Sequence, residues 1–378
     1  MKDKMLIWGT GEIAEINFIF FSKVKQNIEI VAFVDSNKNK WGTEFNGINI
    51  ISPQRVIEQK FDYIDIWSEK YYDEIKNQLC IELKVPESKI RDAFSEIRDK
   101  LFNRYKNTED IEIKQYISNM KNKKWISIYS FDFCEKHGLR EVFKDSEDDL
   151  PYILFEGKRM YLTRDYKFIT QDGMKYTGDF WGEQDSESPH LYMNGDVKVH
   201  DGDVLIDAGA CEGNFSLHII EKVSKLYIVE SETKWIEALR RTFEPWKEKV
   251  VICQGFLGNK DSDTVVCIDS LVRNDKVDFI KMDIEGSEIS ALLGAKKTLQ
   301  KNENMRCAIC SYHKHDDEHN IKAILEEAGF VTETSKGYMW FFLEEFAAEY
   351  CELRHGIVRG IKNKISCNMY DNKEFLTN

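Results

Sequence analysis

The residues with the clearest chemical spacing are Asp207-x-Gly209-Ala210-Cys211-Glu212-Gly213-Asn214, which follow the apolar run Val204-Leu-Ile. An acid at the end of the strand, two residues before the first glycine, would repel a pyrophosphate. It suits a cofactor that presents a cationic amino group. Glu230 closes the next apolar run, Leu226-Tyr-Ile-Val, and is placed to accept two ribose hydroxyls. Together these acids point to S-adenosylmethionine rather than NAD. Asp207, Gly209, Ala210, Glu212, Gly213, Asn214 and Glu230 are the expected cofactor contacts.

A second set of groups follows two later strands. Val277-Asp-Phe-Ile-Lys-Met282 leads into Asp283-Ile-Glu285-Gly-Ser-Glu288, and Met305 to Tyr312 leads into His313. Methyl transfer from a sulfonium is an in-line displacement, so the protein mainly aligns the acceptor and removes a proton where one is released. A neutral His313 could take that proton, with Asp283 orienting it or holding the acceptor. Glu285 is an acceptor-binding candidate. Both acids precede a helix and could instead cap its first turn, the role expected of Glu288. His315 and His319 are read as solvent-facing. Asp283, His313 and Asp316 could contribute to a divalent metal site, but metal dependence is not the favoured reading.

Near the N-terminus, Gly9-x-Gly11-x-x-Ala14 follows Met5-Leu-Ile-Trp, and Asp35 ends the next strand. This outline would suit a nucleotide pyrophosphate on a helix N-terminus with its ribose on the acid. It would equally serve to close a helix onto its strand, or to dock a substrate. The rival function is a nicotinamide-dependent sugar oxidoreductase or epimerase using Gly9, Gly11 and Asp35. A third reading is a noncatalytic nucleotide- or glycan-binding protein.

Two strand–turn–helix–strand units predict two α/β domains with parallel sheets. A length of 378 residues accommodates both. The expected division is 1–83 for a small Rossmann-like domain, 84–150 for a helical connector and 151–378 for the second domain. In the connector, Ile90, Phe94, Ile97, Leu101 and Tyr105 recur at three- and four-residue steps. From about 150 to 200, short strands and hairpin turns are expected to pack over the ligand site. A formal charge of −13 argues against a broad nucleic-acid surface. No apolar run reaches the roughly 20 residues of a membrane span. The N-terminus lacks signal-peptide features, and nine cysteines without a paired framework suit a reducing cytoplasm. Cys307 and Cys310 are expected to be buried thiols on opposite faces of one strand.

The segment Asp278-Phe-Ile-Lys-Met-Asp-Ile-Glu-Gly-Ser-Glu288, with Leu293-Gly-Ala295 beyond it, resembles the FkbM family of S-adenosylmethionine-dependent methyltransferases. The Asp207–Ser216 turn, Cys267-Ile-Asp-Ser-Leu271 and Leu353-Arg-His-Gly-Ile-Val-Arg359 agree with it, over roughly residues 150–362. The resemblance implies a class I methyltransferase domain and methyl transfer to an oxygen of a sugar, a nucleotide-linked sugar or a glycan. It also implies that the segment before the first cofactor strand folds across the pocket, making Gln184 and His190 cofactor or acceptor contacts. Arg354 and His355 lie in the later matching segment and become acceptor-binding candidates. Val34-Asp-Ser-Asn, Trp41-Gly and Gly47-x-x-Ile50-x-x-Pro53 resemble the small Rossmann-like domains attached to sugar-modifying enzymes.

Overall fold

The computed structural model describes residues 2–11, 28–68, 71–92, 94–121, 140–165, 180–341 and 351–362, with isolated positions between them. The chain forms two compact units, Met1–Ser130 with Trp340–Leu353, and Phe131–Met339 with Arg354–Asn378. Residues 84–130, expected as part of a separate connector, therefore belong with the first unit.

In the first unit the apolar runs become strands β1 (Asp3–Trp8), β2 (Ile28–Val34), β3 (Glu44–Phe45), β4 (Ile48–Ile51), β5 (Tyr63–Ile66) and β6 (Ile90–Asp92). They form one sheet in the order β3-β4-β2-β1-β5-β6, parallel except for β3. Leu6, Trp8, Val34, Ile64 and Ile66 pack on one face of it, and Met5, Ile7, Phe33 and Tyr63 on the other, as the period of two requires. Ile90 lies in β6, so the helical face expected from it begins later, in the helix Ser95–Tyr105. There Leu101 is buried. The side chain of Ile97 and the helix expected after Gly11 lie outside the described residues.

The second unit opens with β7 (Arg140–Lys144), β8 (Pro151–Phe155), β9 (Lys158–Tyr161) and β10 (Lys175–Tyr176), an antiparallel sheet in the order β10-β7-β8-β9. The β8–β9 hairpin turns at Glu156-Gly157, both with positive φ. The main sheet follows: β11 (Val204–Ala208), β12 (Lys225–Glu230), β13 (Val250–Gln254), β16 (Phe279–Met282), β17 (Arg306–Cys310), β18 (Val331–Thr334) and β19 (Ile357–Ile361). A two-stranded ribbon, β14 (Phe256–Leu257) and β15 (Val265–Val266), intervenes. The order is β13-β12-β11-β16-β17-β19-β18, with β19 antiparallel to both neighbours. Strands covered on both faces read as continuous apolar runs, and β17 is buried throughout, Cys307 and Cys310 included.

Chain order reverses at β11, which has β12 on one side and β16 on the other. Parallel sheets bind ligands outside the carboxyl ends of the strands at such a reversal, because the two following loops diverge there. No described helix is long and apolar enough to cross a membrane.

Candidate active site

A cavity of about 600 Å³ opens at this reversal, lined by the loops after β11, β12, β13, β16 and β17. Its size lies within the range of small-molecule sites. Gly209, Ala210, Cys211, Glu212 and Asn214 form one wall, and Glu230, Asp283 and Glu285 also line it. Sequence spacing had placed each of these except Cys211 at the site.

The turn after β11 has a steric cause. Gly209 has φ +73, and a Cβ there would lie 1.7 Å from the carbonyl oxygen of Asp283. The missing side chain lets the β11 and β16 turns touch, and the Asp283 N–H donates to Ala208 O at 2.9 Å. Gly213 does different work from the expected cofactor contact. It is not part of the cavity wall; a Cβ there would meet Leu239 Cδ2 at 2.7 Å, so it lets the chain pack closely on the helix Thr233–Phe243.

Glu230 is fixed by backbone amides. Its Oε2 accepts from Cys211 N–H at 2.8 Å and its Oε1 from Glu232 N–H at 2.7 Å. A carboxylate has about four lone-pair sites, so both oxygens retain capacity for ribose hydroxyls.

Asp207 departs from expectation. It is fully buried, off the cavity wall, and paired with Lys281 Nζ at 3.0 Å; its Oδ2 accepts from Ser216 Oγ at 2.6 Å. The two residues are direct register partners across β11 and β16. Lys281 also donates to Gly209 O at 2.6 Å. Burial opposes its charge, but the carboxylates of Asp207 and Asp283 raise its pKa above the usual lysine value. Asp207 thus supports the glycine turn through Lys281 and is not exposed to a ligand amine.

Asp283 has Tyr192 OH donating to its Oδ2 at 2.9 Å, and Tyr312 OH lies 3.4 Å from its Oδ1. His190 Nε2 lies 3.5 Å from Oδ2 and His313 Nε2 lies 3.4 Å from Oδ1. Burial favours the neutral acid, yet His190, His313 and Lys281 hold the carboxyl well below the usual range. Asp283 is an ionised acceptor of hydrogen bonds.

His313 is not the neutral base that its position suggested. It is 3% exposed and off the cavity wall, with Nδ1 3.1 Å from Glu288 Oε1 and Nε2 3.7 Å from Glu285 Oε2. Burial disfavours its charge, but Glu288, Asp283 and Glu285 push its pKa up to about 9. At neutral pH it is a cation whose proton is already held. Glu288 Oε1 also accepts from Ile284 N–H at 2.9 Å, the supporting role expected of it.

Three further candidates are engaged in structure. Gln184 spans its own loop, donating to His190 O and accepting from Tyr192 N–H, both at 3.1 Å. Arg354 is buried and donates to Tyr312 O at 2.8 Å, which fixes the segment carrying Tyr312. His355 lies 2.9 Å from Glu318 Oε2 and stacks on Tyr338. None of the three lines the cavity, and His190 stands behind Asp283. Asp316 does not gather with Asp283 and His313 as a metal site would need; its carboxylate lies 3.7 Å from His315, whereas Asp317 approaches Glu288 and His313.

In the first unit, Gly9 has φ +126, and a Cβ there would lie 2.7 Å from Trp67 O, so close packing requires that glycine. No described residue comes within 4 Å of a Cβ built at Gly11. Asp35 accepts from Thr10 Oγ1 and from Asn37 N–H, and pairs with Lys40 at 3.3 Å. These bonds tie the turn together locally.

Glu183, Tyr192, Lys281 and Tyr312 also line the cavity, and sequence reasoning missed them. Lys281 carried a signal, a lone cation inside an apolar strand. The two tyrosines carried none, because their common partner Asp283 is distant in sequence.

Residues 1–91 match a family described as C2185-like, N-terminal, and residues 207–332 match the Methyltransferase FkbM domain. The fold is similar to the crystal structure of methyltransferase FkbM from Methylobacillus flagellatus KT, with 15% identity, 95% of this chain and 90% of that chain covered, and a TM-score of 0.52. Precorrin-6y C5,15-methyltransferase from Geobacter metallireducens GS-15 aligns with 14% identity over 44% of this chain and 82% of its own, at a TM-score of 0.31. No curated protein matches the chain at a significant level. Residues 207–332, the centre of the unit that carries the seven-stranded sheet and its strand-end cavity, thus match the FkbM methyltransferase domain, and the protein is an S-adenosylmethionine-dependent methyltransferase.

Proposed function

We propose that the protein methylates a hydroxyl of an uncharged sugar or glycan. The observation that supports this reading is the charge of the cavity wall. Glu183, Glu212, Glu230, Asp283 and Glu285 all line it. Its two lysines are already neutralised, Lys281 by Asp207 and Lys234 by Glu232 at 2.6 Å. A wall of this sign repels phosphate and accepts hydrogen bonds from hydroxyls. It therefore favours a free sugar or glycan over a nucleotide-linked sugar.

The Gly209–Glu212 turn, Asn214 and Glu230 would hold the cofactor, and Glu230 fits a ribose because its oxygens are fixed by amides yet retain lone pairs. When bound, S-adenosylmethionine supplies an activated methyl group. Asp283, ionised and braced by Tyr192 and Tyr312, would accept a hydrogen bond from the acceptor hydroxyl and orient its oxygen.

The test incubates the protein with carbon-13 methyl-labelled cofactor and a panel of neutral mono- and oligosaccharides, phosphorylated sugars and amines. New O-methyl resonances on neutral saccharides are expected, with turnover lowered roughly 10²-fold or more in Asp283→Asn. Label found only on nitrogen, or only on phosphorylated acceptors, overturns the proposal.

A further inference from the structure

We propose that His190, Cys310 and Asp283 form a zinc site at the wall of the methyl-transfer cavity. The three donor atoms lie within 4.8 Å of one another. His190 Nε2 is 3.4 Å from Cys310 Sγ and 3.5 Å from Asp283 Oδ2. Zinc bonds of ordinary length at tetrahedral angles would set such donors roughly 3.4–3.6 Å apart. The second separation is too long for a charge-assisted hydrogen bond, which would close to about 2.7–2.9 Å.

The donor chemistry selects the ion. A thiolate and an imidazole favour zinc over magnesium or calcium. One thiolate and one carboxylate balance a divalent charge, so the buried site becomes neutral. Cys310 is fully buried and His190 is 1% exposed, an environment in which an uncompensated ion would be costly.

The outer nitrogen of the histidine faces a carboxylate at longer than hydrogen-bond distance. His190 Nδ1 is buried and makes no hydrogen bond among the described residues. Glu183 Oε2 lies 4.0 Å from it. Metal-bound histidines usually turn their other N–H toward a carboxylate or carbonyl, which fixes the tautomer. Tyr192 and Tyr312 hold the imidazole edge-on, at ring separations of 5.0 and 5.3 Å. Two other groups share His313, one with Asp283 and Glu285 and one with Glu288 and Asp317, and the second is already committed. Its Glu288 Oε1 accepts from Ile284 N–H, and Asp317 Oδ2 accepts from Lys314 N–H at 2.7 Å.

Three protein ligands leave a fourth position, the pattern of catalytic rather than structural zinc. Asp283 is the ligand that lines the cavity, so that position would serve an acceptor hydroxyl and lower its pKa. This use of the site rests on the hydroxyl-methylation reading. In the step, the acceptor O–H bond breaks and its proton passes to solvent. The O–CH3 bond forms as the S–CH3 bonding pair returns to sulfur.

The experiment uses the full chain freed of metal by chelator, then titrated with zinc and separately with cobalt(II). One zinc per chain and a thiolate-to-cobalt charge-transfer absorption are expected. Cys310→Ser and His190→Gln should each weaken zinc binding at least ~100-fold and abolish that absorption, whereas the exposed His315→Gln should keep both. Because the absorption is read on the unmodified chain, a misfolded variant cannot hide the answer. Absence of the band in the unmodified chain, or its persistence in Cys310→Ser, overturns the site. Full methylation of a neutral saccharide by zinc-free protein overturns the catalytic use of the ion and leaves the proposed function standing. Stoichiometric zinc with no hydroxyl methylated upholds the site and overturns the acceptor reading.

Discussion

Lys281 Nζ lies 3.0 Å from Asp207 Oδ1, and the same ammonium donates to the carbonyl of Gly209. A buried ion pair between two adjacent strands thus fixes the turn that forms one wall of the cavity. Removing one partner strands the other charge in the sheet. Lys281→Met should lower unfolding free energy by ~3–5 kcal/mol, read from urea melts. The double variant Lys281→Met with Asp207→Asn should recover much of that loss; no recovery would mean the pair is not the cause.

Glu230 bonds to two backbone amides and faces the cavity. Glu230→Ala should weaken binding of S-adenosylhomocysteine by ~1.5–3 kcal/mol in calorimetry, through lost ribose bonds and a loosened turn. Unchanged affinity would remove Glu230 from the cofactor site.

The raised pKa of His313 makes a signed pH prediction. Its folded value of about 9 exceeds an unfolded value near 6.5, so the folded state holds the proton more tightly. The stabilisation is complete below about pH 6.5 and is lost as pH rises through about 9. Melting temperature should therefore fall over that window, and His313→Gln should flatten the fall. An undiminished slope in the variant would assign the pH dependence elsewhere. His313→Gln should also lower stability at pH 7, because the buried Glu288 then loses its charged partner.

Gly209 tests the contact between the two turns. In Gly209→Ala, the added carbon would overlap Asp283 O and must occupy a left-handed conformation. Stability should drop by more than ~2 kcal/mol and cofactor binding should fail in whatever remains folded. Wild-type affinity in this variant would contradict the close approach.

Sequence by itself determined the local grammar of the molecule. Continuous apolar runs specified the central parallel strands, and glycines with following helix patterns specified the turn after β11. Acids at strand ends, Glu230 and Asp283, were legible because a strand terminus at a chain reversal always faces the same edge of a sheet. Tertiary structure decided which polar groups remain available there. Asp207 is consumed by Lys281, Gln184 by its own loop, and Arg354 by the carbonyl of Tyr312. His313 changed from an expected base to a held cation because Glu288, Asp283 and Glu285 converge on it. The bonds of Asp207, Arg354 and Asp283 join residues from different strands and loops, and protonation depends on burial and on charges a few ångströms away. Neither separation in space nor loss of water is encoded by spacing along the chain, so only the folded arrangement of β11, β16 and β17 could assign these roles.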